Sequence, residues 1–123
     1  MGEELAKLPP QVQERLLRLQ QIQQTLQSVL VQKQQVEVEL TEIEQALSEL
    51  QKVAEDVVIY KSIGSLLVRT DKARVSADLN ERKELLNMRA SVLGKQEERL
   101  RSQMKELQTK LQQDLTPVSG SQP

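Results

Sequence analysis

The sequence predicts a mainly α protein: a long antiparallel two-helix coiled coil with one β-hairpin between the helices. Three observations carry this. Apolar residues recur in alternating steps of three and four across residues 12–57, in two rows. One row is Val12, Leu19, Leu26, Lys33, Leu40, Leu47 and Ala54; the other is Arg15, Ile22, Val29, Val36, Ile43, Leu50 and Val57. All but Arg15 and Lys33 are apolar. Further on, Leu79, Leu86, Leu93, Leu100 and Leu107 repeat at heptad spacing, the seam of a left-handed coiled coil. Between the two stretches the period changes, and β-branched and aromatic residues surround a glycine turn.

The elements follow in order. Residues 1–9 form a flexible lead. Pro9 and Pro10 mark the start of helix one, because a missing N–H is harmless in a first turn. That helix is expected over residues 10–53, with glutamine, a good uncharged helix former, dominating its exposed face between Gln11 and Gln35. Val57, Val58, Ile59 and Tyr60 then read as strand. Gly64-Ser65 is a two-residue turn with glycine supplying the positive φ, so the hairpin spans residues 57–70. Pairing about the turn sets Ile63 opposite Leu66, Lys61 opposite Val68 and Ile59 opposite Thr70. Asp71 is the expected N-cap of helix two, with Ser76 as a later alternative. Helix two is expected over residues 72–114, and Pro117, Ser119, Gly120 and Pro123 mark residues 115–123 as a disordered tail. Each helix of about forty residues is roughly 60 Å long. The short connector forces them antiparallel, with Leu26 near Ser102 and Leu19 near residues 107–109.

Composition narrows the function. The chain has 123 residues, one Tyr, no Phe and no Trp, so it lacks the aromatic bulk of a compact core. A helix pair buries only a narrow seam, and assembly with other chains is expected. With no Cys and no His, disulfides, thiolate nucleophiles, imidazole bases and most zinc sites are excluded. Seventeen basic and eighteen acidic residues give a net charge of −1, which offers no attraction to nucleic acid or anionic membranes. No apolar run reaches the length of a membrane span, no segment at the start reads as a signal peptide, and a soluble cytoplasmic protein is expected. The acidic group Glu37, Glu39, Glu42 and Glu44 matches no calcium loop. The basic residues Lys95, Arg99, Arg101 and Lys105 are interleaved with Glu97, Glu98 and Glu106, the pattern of a solvated ion-paired face. Neither cofactor nor metal is expected, and no cleft is expected to shift a catalytic pKa.

Two regions remain as candidate binding surfaces. At the free helix ends, Leu8, Val12, Leu16, Leu19, Met104, Leu107, Leu111 and Leu115 form the candidate surface, with Leu17 clustering beside Leu16 and Leu19 but further round from the seam. Leu19 and Leu107 fit the seam, whereas Leu16, Leu111 and Leu115 are balanced between burial and exposure; exposed leucines with a methionine make an adaptable apolar surface. The hairpin offers Val58, Ile59, Tyr60, Ile63, Gly64, Leu66 and Val68 for assembly, since a lone two-stranded ribbon is barely stable and has two open edges. On helix two a weaker second row (Ser76, Lys83, Ala90, Glu97, Met104, Leu111) carries polar Lys83 and Glu97, which either specify register or sit solvated at the seam's edge. Gly94 costs about 1 kcal/mol relative to Ala in a helix interior; it is either tolerated or permits a bend or a close helix contact.

Pro9-Pro10-Gln11-Val12-Gln13, the glutamine-rich first helix, Ala46-Leu47-Ser48-Glu49-Leu50, the hairpin from Tyr60 to Val68, and Lys95-Gln96-Glu97-Glu98-Arg99-Leu100 together resemble the beta-type subunits of archaeal prefoldin. The resemblance covers about residues 8–112. Alpha-type subunits carry two hairpins between their helices, and this connector has room for one. Gly94 departs from the stronger helix formers expected at its position. The resemblance implies a heterohexamer of two alpha-type and four beta-type subunits, whose hairpins associate into inter-subunit β-barrels. It implies ATP-independent capture of unfolded or nascent polypeptides at the coiled-coil tips, and their delivery to a group II chaperonin. The alternative is a structural coiled-coil adaptor that binds one folded helical partner through the seam.

Overall fold

The structure, a computed structural model, describes residues 7–116. Its elements are α1 (Pro10–Gln51), β1 (Ile59–Ile63), β2 (Leu66–Thr70) and α2 (Lys72–Leu115). This is the expected pair of long helices with one antiparallel hairpin between them. Of the expected lead, residues 1–6 lie outside the described residues, as do residues 117–123 of the expected tail.

Local chemistry explains each boundary. Pro9 precedes α1, and its carbonyl accepts from the Val12 and Gln13 amides at 3.0 and 3.1 Å. The Gln13 side-chain amide donates to the Leu8 carbonyl at 2.7 Å, which fixes the approach to the helix. At the other end, the Lys52 and Val53 amides reach back only three residues, to Glu49 and Leu50. That tightening of the exit ends α1 at Gln51, slightly before the expected Val53. Asp71 caps α2: its Oδ1 accepts from the Arg74 amide at 2.8 Å, the geometry of an N-cap bond to the third helical residue. Leu115, expected to open the tail, instead completes α2. Thr116 follows it and donates through Oγ1 to the Gln112 carbonyl at 2.6 Å, satisfying an otherwise unpaired C-terminal acceptor.

The hairpin has the expected register: Ile59 faces Thr70, Tyr60 faces Arg69, Lys61 faces Val68, Ser62 faces Leu67 and Ile63 faces Leu66. Gly64 has φ of 59°, while no described non-glycine residue has a positive φ. A positive φ confined to the first central residue fits a type II′ turn, which matches the twist of the flanking strands. Val57 and Val58 precede the ladder rather than joining it, because the Val57 amide is held in a turn by the Ala54 carbonyl at 3.2 Å.

The described residues pack as two compact units. One joins the chain up to Gln32 with the chain from Leu93 onward, and the other is Lys33–Val92. In the first, the end unit, the buried apolar residues are Val12, Ile22, Leu26, Val29, Leu93, Leu107 and Leu111. In the second, the hairpin unit, they are Val36 and Ile43. Every one belongs to a heptad row. Of the two rows on helix one only Ala54, beyond the end of α1, is exposed. Among the described residues no large side chain is completely enclosed, as expected where a helix buries one stripe rather than a whole circumference.

Candidate functional site

In the end unit, apolar residues of the two helices meet with low sequence numbers against high ones. The Arg15 guanidinium pairs with the Asp114 carboxylate across the helices, fixing their antiparallel alignment. Val12, Leu107 and Leu111 are buried there. Leu8, Leu16, Leu19 and Met104 are half-buried, and Leu115 is exposed at 57%. The three undecided leucines thus separate: Leu16 is half-buried, and Leu111 enters the seam one turn before Leu115 emerges from it.

The most open leucine of this unit was not among the expected site residues. Leu17 is 58% exposed, and with Leu16 and Leu19 it forms the apolar floor of a shallow groove edged by Pro10, Gln13, Glu14, Gln20 and Gln23. Its signal in the sequence is its position off both heptad rows, which on a helix means turned away from the partner. Three glutamine amides border the groove, and Glu14 gives it a single negative charge.

In the hairpin unit, Val58, Tyr60, Ile63, Leu66 and Val68 are all exposed, and Ile59 is half-buried. Leu67, absent from the expected set, is the most exposed large apolar residue of the ribbon at 71%. It lies on the same face as Tyr60, since paired residues share a face and successive pairs alternate, which puts the Ser62–Leu67 and Tyr60–Arg69 pairs together. The sheet has two strands, so the outer edge of each carries unpaired backbone donors and acceptors. Polar contacts set the base of the ribbon. Lys72, the first residue of α2, donates to the Val53 carbonyl at 2.9 Å and pairs with Glu55 at 3.3 Å. Lys61 of β1 reaches Asp78 of α2 at 3.8 Å. Lys83, one of the polar seam residues, is half-exposed and pairs with Glu44 across the helices at 3.9 Å. Glu97 accepts from the Arg101 Nε at 2.8 Å within α2.

Among the described residues no cluster of acidic side chains is placed to hold a metal ion. No described helix is long and apolar enough to cross a membrane.

The fold and these two surfaces define a coiled-coil binding subunit, with apolar helix ends on one unit and an open, apolar ribbon on the other. The model of the Prefoldin subunit family matches residues 13–117. The prefoldin subunit beta of Methanothrix thermoacetophila is 47% identical over 109 residues, covering 89% of this chain and 91% of the relative. That of Thermococcus onnurineus is 47% identical over 116 residues, covering 94% of this chain and all of the relative. The crystal structure of the prefoldin beta subunit from Thermococcus strain KS-1 superposes with a TM-score of 0.83 at 43% identity, covering 90% of this chain and 97% of that one. The chain belongs to the prefoldin subunit family, a family of chaperone subunits.

Proposed function

We propose that the chain is a beta-type subunit of a cytoplasmic, ATP-independent chaperone. Two alpha-type and four beta-type subunits assemble through their hairpins into β-barrels. The helix ends capture unfolded or nascent polypeptides and pass them to a group II chaperonin.

One observation carries this reading: Leu17 and Leu115 stand exposed beside a buried apolar row in the unit that holds the helix ends. Leu8, Val12, Leu16, Leu19, Met104, Leu107 and Leu111 complete the proposed capture surface. Apolar contacts are non-directional, which suits clients without fixed shape. Each end binds weakly. Several ends on one assembly raise the effective concentration of the next contact, so avidity exceeds any single affinity. Release requires only rebinding elsewhere, and no nucleotide enters the cycle. The open edges and exposed side chains of the ribbon support its role in assembly. Ile59, Ile63, Leu66 and Val68 line one face, Val58, Tyr60 and Leu67 the other, and Gly64 permits the turn that joins them.

The test replaces Leu16, Leu17 and Leu115 with Ser and measures suppression of aggregation of a chemically denatured client. These three are chosen because buried Leu111 would perturb the seam. A leucine contributes about 1.5–3 kcal/mol when fully buried in a complex. Suppression is therefore expected to fall several-fold while native mass spectrometry still reports the intact hexamer. Undiminished suppression by an intact hexamer would refute capture at the helix ends.

A further inference from the structure

Two charged residues of the end unit occupy unfavourable positions. Arg15 sits in a heptad row that continues with Ile22 and Val29. Asp114 sits in the last turn of α2, which contains no basic residue. The helix dipole already places partial negative charge there, so a carboxylate is disfavoured. The two residues compensate one another. They pair across the helices although 99 residues apart in sequence, and each side chain keeps only 23% of its surface open.

Their helical neighbours give the pair a consequence. Arg15 lies one turn from Val12 and Asp114 one turn from Leu111, the spacing that places side chains side by side on a helix. Val12 and Leu111 are 4% and 6% exposed. Arg15 and buried Leu107 also border the same depression between the helices. Near the free helix ends, Leu17 and Leu115 therefore form an open apolar set, and Val12, Leu107 and Leu111 a closed one.

We infer that the Arg15–Asp114 pair is a latch that sets how much apolar surface the helix ends release. Paired, it keeps the closed set in the seam. When it parts, Asp114 faces its own helix terminus without its cross-helix cation, and Lys110, one turn earlier on α2, is the remaining basic neighbour on that helix. The last turn of α2 loosens, and Leu111 and Val12 become accessible. The charges are arranged for release rather than for strength. Exchanging them would put the cation at the C-terminal end of α2, where the dipole favours it. The mechanics of the latch stand on this geometry alone, and its effect on clients rests on the capture reading above.

The chain has no cysteine, so Leu111→Cys installs a single thiol reporter in the closed set of the full chain. Its alkylation rate, measured well below the melting transition, reads opening directly. Adding Arg15→Gln is expected to raise that rate roughly two- to fivefold, the span associated with a partly exposed ion pair. Adding the reversed pair Arg15→Asp/Asp114→Arg is expected to lower it below the parent. An unchanged rate in Arg15→Gln, or a reversed pair that labels as fast as Arg15→Gln, would overturn the latch. In the cysteine-free background, suppression of client aggregation is expected to rise with Arg15→Gln and fall with the reversed pair. Labelling that responds while suppression does not would support the latch and overturn its role in capture.

Discussion

Gly64 and Gly94 show how differently the same residue type acts at two positions. Gly64 holds φ at 59°, in the left-handed region where a side chain costs about 1–2 kcal/mol. A Cβ there would meet no heavy atom within 4 Å, so the cost of Gly64→Ala is conformational and not steric. Gly94 has ordinary helical geometry inside α2, and a Cβ there would also meet nothing within 4 Å. Of the alternatives open at Gly94, a close helix contact is therefore excluded. Gly94→Ala is expected to stabilise the chain by about 0.5–1 kcal/mol, whereas Gly64→Ala destabilises it. Opposite shifts of the denaturant midpoint would check both, and shifts of the same sign would contradict this account. The sequence identifies the Gly64 turn through its flanking strands. It leaves Gly94 open, because helical spacing says nothing about what lies above a missing side chain.

At the scale of the element, the heptad rows were the most legible feature. Val36, Ile43 and Leu107 could be assigned to the seam by spacing alone, since a helix buries one stripe, whereas spacing left Leu111 undecided. The hairpin register was equally legible, because a two-residue turn leaves one way to pair the strands. Cross-chain partners were not. Lys72 anchors Val53 and Glu55, and Arg15 meets Asp114, but each appears in the sequence only as an isolated charge. Local spacing does not reveal a partner on another element. Leu67 and Leu17 were placed by spacing, Leu67 on the face of Tyr60 and Leu17 further round from the seam, but neither joined the expected site residues, because position on a face does not tell how open a side chain is. The ribbon supplies a prediction at this scale. Tyr60→Lys/Leu67→Lys leaves every ladder hydrogen bond available and changes one face. It is expected to shift native mass toward smaller oligomers with helical circular dichroism unchanged. An unaltered oligomer would remove that face from the assembly interface.

For the whole molecule, function depends on how many copies act together. A chain with a narrow seam and an unsatisfied ribbon has more to gain from association than from its own core. Under the proposed mechanism, that association also multiplies weak contacts. Assemblies built from mixtures of parental and Leu16→Ser/Leu17→Ser/Leu115→Ser chains are expected to lose aggregation suppression faster than in proportion to the variant fraction. A proportional loss would mean that the subunits hold clients singly. The amide-edged groove on α1 bears on which clients are held. Gln13, Gln20 and Gln23 border its leucines with groups that form hydrogen bonds yet carry no charge, and Glu14 adds a single negative charge. Such a border tilts weakly against acidic segments and toward basic ones. Discrimination would then follow greasiness first and sign second, and greasiness is the trait that marks a polypeptide as unfinished.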